Sequence, residues 1–219
     1  FMPSAYRLHA IDGDGDGHVN LWRSERDALA SGANFLVNLG WQKGQRWGRE
    51  VLLPDDFPYV KTGLNNSQPV TYWRGLGVSF ANGNPIPDID MQASVLVPAG
   101  HSGPAFLVYP NFDVILRWNR SEYYALAVGV LADRLIGAGP LVRSPSSDEA
   151  ALSRNAVENM QRQLKDLGFD AGEIDGVLGS MTQSALREFQ ASTGMIADGY
   201  PDRETLCALS SKTGSTPCL

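Results

Sequence analysis

The chain has 219 residues, a net charge of -6, 43% hydrophobic residues and 19% charged residues. This is the balance of a globular protein with a buried core, long enough for one medium domain or two small ones. No apolar run approaches the roughly 20 residues that span a bilayer. The acidic balance, without a Lys/Arg cluster, argues against nucleic acid or an anionic membrane surface as a partner.

An Asp/Gly run, IDGDGDGHVNLW, occupies residues 11–22 and has the spacing of a calcium-binding loop. Such a loop wraps around a hard cation that takes six to eight oxygen ligands. The residues at loop positions 1, 3, 5, 6 and 7 are Asp12, Asp14, Asp16, Gly17 and His18, the last offering its backbone carbonyl. Carboxylates packed this closely repel one another without a cation. A run of metal-free Asp-Gly turns is the alternative.

The loop departs from the EF-hand pattern at position 12, where Arg23 stands in place of the bidentate Glu. The closing carboxylate must therefore come from further along the chain. Asp27 is the first candidate and Glu25 the second. Because only one such loop is present, we expect calcium in a structural role rather than a signalling role.

A helix is predicted from about Asp27 to Leu39. Its apolar residues, which share one face, are Leu29, Ala33, Leu36 and Val37. The stretch that follows is rich in Gly, Pro and Asn and contains short strand candidates at Glu50–Leu53 and Ala93–Pro98. Ala105–Tyr109 is expected to pair with the latter strand as a hairpin across the AGHSG turn.

Two further helices are predicted at Phe112–Trp118 and Ser121–Ile136. The second has a strongly apolar face and is therefore expected to be buried in the core. That face consists of Tyr124, Leu126, Ala127, Val128, Val130, Leu131 and Leu135. Residues 138–154, AGPLVRSPSSDEAALSR, are rich in Gly, Pro and Ser without an apolar period, which predicts a linker.

Three helices are predicted after the linker, at Ala156–Leu167, Met181–Ser192 and Arg203–Ser211. Between them lie two similar turns, DGVLGSMT at 175–182 and DGYPDRET at 198–205. Each begins with Asp-Gly, has Thr at its eighth position and precedes a helix. This is the chemistry of a tight glycine turn followed by a polar first helical turn. The pattern indicates a weak internal repeat.

The two cysteines, Cys207 and Cys218, lie close together near the C-terminus without metal-ligand spacing. They form either one disulfide, which would suit an oxidising compartment, or two free thiols.

Chemistry alone identifies no active site in the sequence. The three histidines, His9, His18 and His101, lie in unrelated contexts, and no His/Cys/Asp cluster has catalytic-zinc spacing. No nucleophile elbow or phosphate-binding glycine loop is present. Glu122 begins a helix, where an acid stabilises the helix dipole.

The segment VENMQRQLKDLGFDAGEIDGVLGSMTQSALREFQASTGMIADG resembles the peptidoglycan-binding domain found at the ends of many bacterial wall hydrolases. The residues that carry the resemblance are Asp175, Gly176, Gly179, Thr182, Ala185, Phe189 and Gln190. The resemblance implies a three-helix unit that recognises peptidoglycan. Most of its signature residues are core and turn positions.

The front of the chain resembles the C-terminal half of the membrane-bound and soluble lytic transglycosylase B family. The blocks FMPSAY, DGDGDGHVNLW, DALASGANFL and ILRWNRSEYYALAVGVLADRL carry the resemblance. It implies a lysozyme-like catalytic domain with an EF-hand-like calcium loop inserted in it. The implied calcium ligands are Asp12, Asp14, Asp16, the His18 carbonyl and Asp27.

Members of that family cleave the β-1,4 bond between N-acetylmuramic acid and N-acetylglucosamine. One Glu protonates the leaving oxygen and then acts as base while the muramoyl 6-hydroxyl closes a 1,6-anhydro ring, unlike the usual two-carboxylate scheme. An apolar setting must keep this Glu protonated. No glutamate here has its Glu-Ser-x-x-Gly-like context, so we expect the acid upstream of Phe1 and the chain alone to be inactive.

The resemblance does carry over residues of the substrate cleft. They are Asn119, Tyr124, Trp118, Phe35, Met2 and Ser4. Trp118 and Phe35 fall where family members can have tyrosine, so stacking would persist while the hydroxyl is lost. Met2 and Ser4 follow a cleft-edge Gln that is absent here.

We therefore predict an α+β, mainly α, fold. A partial lysozyme-like transglycosylase domain is expected at 1–137, a linker at 138–154 and a three-helix peptidoglycan-binding domain at 155–219. The first hypothesis is part of a monomeric, periplasmic lytic murein transglycosylase that binds glycan strands and structural calcium, either anchored to the outer membrane or free. The second is a non-catalytic wall-binding protein that kept the cleft and lost the acid. A calcium-stabilised scaffold without sugar affinity would leave 155–219 unexplained.

Overall fold

The computed structural model describes residues 2–144 and 152–214. The chain divides into two compact units, the first formed by 1–47 with 110–135 and the second by 48–109 with 136–219. In the described part of the chain, no helix has both the length and the apolar character needed to cross a bilayer. Part of the predicted linker, residues 145–151, lies outside the described residues.

The structure consists of short strands between helices. In chain order the elements are α1 (Pro3–His9), α2 (Glu25–Asn38), β1 (Gly48–Leu52), a 3-10 turn (Tyr59–Lys61), β2 (Gln68–Pro69), α3 (Val70–Gly75), β3 (Ser79–Phe80), β4 (Gln92–Leu96), β5 (Ala105–Val108), α4 (Pro110–Trp118), α5 (Glu122–Leu135), α6 (Arg154–Asp166), α7 (Ser180–Ser192) and α8 (Arg203–Thr213).

The first unit contains α1, α2, α4 and α5, with α2 packed against α1 and α4. A buried asparagine, Asn111, joins the two stretches of chain that build this unit. Its amide group donates to the carbonyls of Gln42 and Gln45, both at 2.9 Å, and its Oδ1 accepts the Gln42 N–H at 2.8 Å. A buried amide that is satisfied in this way fixes the geometry of the junction.

The prediction that the apolar face of α5 is buried in the core holds for Leu126 but is wrong for most of that face. Leu131 and Leu135 are 59% and 79% exposed, and the buried residues of α5 are Ala125, Leu126 and Gly129. The indole of Trp47 lies so close to Gly129 that any side chain there would overlap it. The helix therefore turns Ala125, Leu126 and Gly129 inward, with Gly129 against Trp47, and its later apolar residues Leu131 and Leu135 face outward.

The face predicted for α2 also differs from the structure. The helix begins at Glu25 because the side chain of Ser24 caps it by accepting the Asp27 N–H. Its buried residues are Asp27 and Ser31, whereas the predicted apolar residues Leu29 and Val37 are exposed. Asp27 and Ser31 are buried because both accept hydrogen bonds from the backbone of the acidic loop.

The second unit contains an antiparallel sheet with strand order β2-β4-β5-β1-β3. The predicted hairpin of β4 and β5 is confirmed, with Val95 opposite Leu107. Strands β2 and β3, of two residues each, were not predicted. Trp73 packs in the core beside Leu107, and its Nε1 donates to the Ala93 carbonyl at 2.8 Å.

The three helices predicted at the back of the chain are confirmed as α6, α7 and α8, and they belong to the second unit together with the sheet. Their shared core includes Leu164, Leu186, Phe189 and Leu209, all at most 1% exposed. The amphipathic spacing of each helix places these residues on its inner face.

Candidate functional site

The acidic loop and the start of α2 bring three carboxylates together. Oxygen atoms of Asp12, Asp14 and Asp27 lie within 4.8 Å of one another. Two ligands of one calcium ion, each bound at about 2.3–2.6 Å, are at most about 5 Å apart, so this spacing fits a shared cation. Among the described residues, no Lys or Arg forms an ion pair with any of the three.

Backbone N–H groups of the loop position Asp12. Its two oxygens accept from Gly15 at 2.6 Å and from Gly17 at 2.8 Å. Both glycines have positive φ, 79° and 87°, which a residue with a side chain adopts only with strain. The hydrogen bond from Gly17, followed by that from Gly15, lowers the pKa of Asp12 and keeps it ionised.

Asp27 closes the loop from the first turn of α2. It is buried, and its two oxygens accept the N–H groups of Gly13 at 2.8 Å and Asn20 at 2.7 Å. The hydrogen bond from Asn20, followed by that from Gly13, lowers its pKa. The hydroxyl of Ser24 donates to Asp14 at 2.6 Å and accepts the Asp27 N–H, so it connects two members of the cluster.

Two predicted ligands are not in the three-carboxylate cluster. The side chain of Asp16 caps the loop backbone two residues further on, where its Oδ1 accepts the His18 N–H at 2.8 Å. The ligand roles of Asp16 and the His18 carbonyl stay predictions. Of the two candidates for the closing carboxylate, Asp27 belongs to the cluster and Glu25 does not.

An aromatic cleft of about 610 Å³ also lies in the first unit. Its lining residues are Pro3, Tyr6, Arg7, Leu21, Trp22, Ala28, Gly32 and Trp118. Trp22 is 81% exposed, and its ring centroid is 5.6 Å from that of Tyr6. Trp and Tyr combine an apolar ring face with a polar group, which suits them to amphipathic ligands such as sugars.

Two of the predicted substrate residues meet at this cleft. Trp118 lines it, and the Phe35 ring lies 5.0 Å from the Trp118 ring, centroid to centroid. Met2 and Ser4 are exposed and flank Pro3, which also lines the cleft. Of these four residues, Trp118 alone is part of the cleft lining, and the other three lie next to lining residues.

The other two predicted residues are exposed but do not line the cleft. Asn119 follows Trp118, and its Oδ1 accepts the Ser121 N–H at 3.1 Å, just before α5 begins. Tyr124 lies in the first turn of α5 and is 38% exposed. Sequence reasoning missed Tyr6 and Trp22. The signal for Trp22 was available, because it is a large aromatic residue within the otherwise polar acidic loop.

The first Asp-Gly turn of the second unit is held by a buried glutamine, Gln161 of α6. Its Oε1 accepts the N–H groups of Asp175 and Gly176, and its Nε2 donates to Asp175 and to the hydroxyl of Thr182 at 3.0 and 3.1 Å. The hydrogen bond from Gln161, followed by the Val177 N–H, lowers the pKa of Asp175.

A second buried glutamine, Gln190 of α7, repeats this arrangement at the next turn. Its Oε1 accepts the Gly199 N–H at 2.7 Å, and its Nε2 donates to Asp198 at 3.1 Å and Thr205 at 3.0 Å. The predicted internal repeat is thus a repeated hydrogen-bond network. The Asp at the first position and the Thr at the eighth position of each turn therefore have a structural role, as partners of the buried glutamine.

Helix α8 carries Cys207, which is disulfide-bonded. The other cysteine of the chain, Cys218, lies outside the described residues.

Two family models match the chain. Residues 1–133 match the model described as “Transglycosylase SLT domain” and residues 153–209 match “Putative peptidoglycan binding domain”. Over 131 residues the chain is 34% identical to membrane-bound lytic murein transglycosylase B of Escherichia coli (strain K12), an alignment that covers 58% of this chain and 34% of the relative.

Two solved structures extend the comparison. SltB3 from Pseudomonas aeruginosa, in complex with NAG-anhNAM-pentapeptide, is 46% identical with a TM-score of 0.88, over 95% of this chain and 56% of that one. The Escherichia coli lytic transglycosylase Slt35 in complex with calcium is 32% identical with a TM-score of 0.51, over 62% of this chain and 42% of that one. The chain thus spans between 34% and 56% of the length of these relatives.

Proposed function

The chain belongs to the transglycosylase SLT family, and we propose that it supplies the saccharide-contacting and wall-binding parts of a lytic murein transglycosylase. The observation that carries the proposal is the similarity to SltB3 over 95% of the chain, at 46% identity. The reaction would be cleavage of the MurNAc-GlcNAc β-1,4 bond with formation of 1,6-anhydroMurNAc. The protein would act as a monomer in the periplasm, on glycan strands.

The aromatic cleft is the proposed place of saccharide contact. Trp118 and Phe35 would stack against sugar rings, with Met2 and Ser4 at the cleft edge. Asn119 and Tyr124 would contact the strand from the start of α5. The proposed domain boundaries are 1–137, 138–154 and 155–219, supported by family matches that end at 133 and begin at 153.

The catalytic acid is proposed to be a glutamate outside the described residues. Among the described residues, no glutamate lines the aromatic cleft. Glu50, for example, accepts hydrogen bonds from the N–H groups of Val142 and Arg143 at 2.8 and 2.9 Å, so its carboxylate is used to hold the backbone. The chain would then position the saccharide and the wall, and the acid would be supplied by other residues of the enzyme.

Calcium is the proposed occupant of the acidic loop. Support comes from the convergence of Asp12, Asp14 and Asp27, from the oxygen-only donor set, and from the calcium complex of Slt35. Asp16 and the His18 carbonyl would complete the EF-hand-like ligand set. The ion would neutralise the clustered charges and fix the loop beside α2, so its role is structural.

The test is incubation of the chain with purified peptidoglycan sacculi, followed by mass spectrometry of the soluble fraction. The chain should sediment with sacculi and release no 1,6-anhydromuropeptides. Release of these products by the chain alone would contradict the assignment of the acid to other residues.

A non-catalytic wall-binding protein is the second candidate, favoured by the lack of a described glutamate at the cleft. Anhydromuropeptide release by the natural full-length protein would exclude it.

A further inference from the structure

Trp22 connects the acidic loop to the aromatic cleft, because it belongs to the loop in sequence and lines the cleft in space. Its side chain is 81% exposed, and the ring lies 5.6 Å from that of Tyr6 at an interplanar angle of 40°. An exposed aromatic face that borders a groove is typical of a ligand contact. Trp22 is therefore a candidate ligand-contacting residue of this cleft.

Asn20 holds the stretch of backbone that carries Trp22. Its Oδ1 accepts the N–H groups of Trp22 and Arg23, both at 3.2 Å, and its carbonyl accepts the Ser24 N–H at 2.9 Å. An asparagine side chain that binds the backbone two residues further on shapes a turn. The direction in which the indole projects therefore depends on the position of Asn20.

The position of Asn20 depends in turn on Asp27. The Asn20 N–H donates to Oδ2 of Asp27 at 2.7 Å, while Oδ1 of the same carboxylate accepts the Gly13 N–H at 2.8 Å. This carboxylate also belongs to the cluster with Asp12 and Asp14. One side chain thus joins the proposed calcium site to the turn that carries Trp22.

A second connection runs through Tyr6 of α1, which lines the same cleft. Its hydroxyl donates to the Val19 carbonyl at 2.9 Å, one residue before Asn20. Loss of order in the loop would therefore release Tyr6 and Trp22 together. Carboxylates within 4.8 Å repel one another, and a bound cation would offset that repulsion and hold the loop in this arrangement.

We propose that Trp22 is a saccharide-stacking residue of the aromatic cleft and that calcium in the acidic loop holds it in place, so that the affinity of the cleft for glycan depends on calcium. The inference rests on the proposed calcium site and the proposed saccharide cleft, and it deepens both. A side chain that is already in position loses less freedom when its ligand binds. Coupling between two binding sites is reciprocal, so the saccharide would equally raise the affinity for calcium.

The experiment measures, by calorimetry, the affinity of the chain for a peptide-free GlcNAc-MurNAc tetrasaccharide in calcium and in EGTA. Calcium binding itself is titrated with the same preparation. Wild type should bind the tetrasaccharide about tenfold more weakly in EGTA. Trp22→Ala should show a similar loss already in calcium and no further loss in EGTA, because the coupled side chain is absent.

Asn20→Ala tests the connection without chelation. The variant keeps the backbone N–H that donates to Asp27 but loses the Oδ1 that holds Trp22. It should bind calcium nearly as wild type does, yet bind the tetrasaccharide about threefold more weakly even in calcium. Val37→Ala, which changes an exposed apolar residue of α2 outside the cleft lining, is the matched control and should behave as wild type in both buffers.

Four results would overturn the inference: wild-type tetrasaccharide affinity in Trp22→Ala, wild-type tetrasaccharide affinity in Asn20→Ala, a loss in EGTA that persists in Trp22→Ala, or equal affinity in both buffers for a wild-type chain that does bind calcium. A chain that binds no calcium would contradict the proposed occupant of the loop, and the inference with it. A wild-type chain that binds no tetrasaccharide in calcium would contradict the proposed saccharide cleft, again with the inference.

Discussion

The acidic loop of the first unit and the two Asp-Gly turns of the second unit have the same local chemistry but stabilise their carboxylates differently. In the turns, Asp175 and Asp198 each accept a hydrogen bond from a buried glutamine amide. In the loop, three carboxylates converge within 4.8 Å and receive backbone N–H groups and one serine hydroxyl. A turn that carries its own amide donor is complete by itself, whereas a cluster of anions would be stabilised further by a cation, as proposed for this loop.

The largest expected effect comes from breaking a turn network. Gln190→Leu leaves the Gly199 N–H and the Thr205 hydroxyl without their buried partner, which should lower the free energy of unfolding of the second unit by about 3 kcal/mol. Trp73 is the one tryptophan of the second unit, and it lies in the core of the sheet rather than in the three back helices. The readout should therefore be hydrogen exchange of peptides from 180–206 rather than fluorescence.

Gln163→Leu is the matched control for this substitution. Gln163 is half-buried in α6 and makes one hydrogen bond, to the Thr213 hydroxyl at 3.3 Å. Its replacement should cost about 0.5 kcal/mol. Equal losses in the two variants would show that the networks are no more than ordinary surface contacts.

Calcium removal should have the next largest effect and should be confined to the first unit. At a calcium concentration one hundredfold above Kd, the ion contributes about 2.7 kcal/mol to folding, and EGTA removes it. Hydrogen exchange should accelerate in residues 12–27 and stay unchanged in residues 175–205. A loop whose exchange is the same in calcium and EGTA would remove the metal assignment.

A smaller effect is expected when one carboxylate of the loop is neutralised. Asp14→Asn should weaken calcium binding about tenfold, since affinity depends on the charge of the ligands. Asp16→Asn should weaken it less, because Asp16 stands outside the cluster. Asp170→Asn, in an exposed turn of the second unit, is the charge-matched control and should leave calcium affinity unchanged. Calorimetric titration with calcium decides among them, and a larger loss in Asp16→Asn than in Asp14→Asn would contradict the cluster.

The smallest effect concerns pH. The Gln161 amide, followed by the Val177 N–H, lowers the pKa of Asp175 below its ordinary value of 3.8. A carboxyl whose pKa is lower in the folded state stabilises the fold above its ordinary pKa, and this contribution is lost as the pH falls through the folded value. Wild type should therefore lose stability more steeply below about pH 4 than Asp175→Asn. Parallel curves of unfolding free energy against pH for wild type and Asp175→Asn would contradict this prediction.

Local patterns predicted much of this molecule. Helical periodicity and Asp-Gly turn chemistry identified α6, α7 and α8, and the length of the acidic loop identified Asp27 as its closing carboxylate. These features depend on residues close together in sequence, and for Asp27 the structure shows its place in the carboxylate cluster, while its role as a ligand stays a prediction. The two-residue strands β2 and β3 were too short to carry a periodic signal.

The missed features depend on partners distant in sequence. The orientation of α5 is determined by Trp47 packed on Gly129, so its outward apolar face could not be recognised from periodicity alone. The hydrogen bond of the buried Arg187 joins it to Thr62, 125 residues away in the sequence. The roles of Gln161 and Gln190 likewise appear only when each turn folds back onto the preceding helix.

Sedimentation with purified sacculi, in calcium and in EGTA, tests the central claim most directly. The account predicts that the chain pellets with sacculi in both conditions, because the turn networks of the second unit contain their own donors and need no ion. A chain that stays in the supernatant in calcium would contradict the wall-binding function. A chain that pellets only in calcium would contradict the independence of the second unit from the metal.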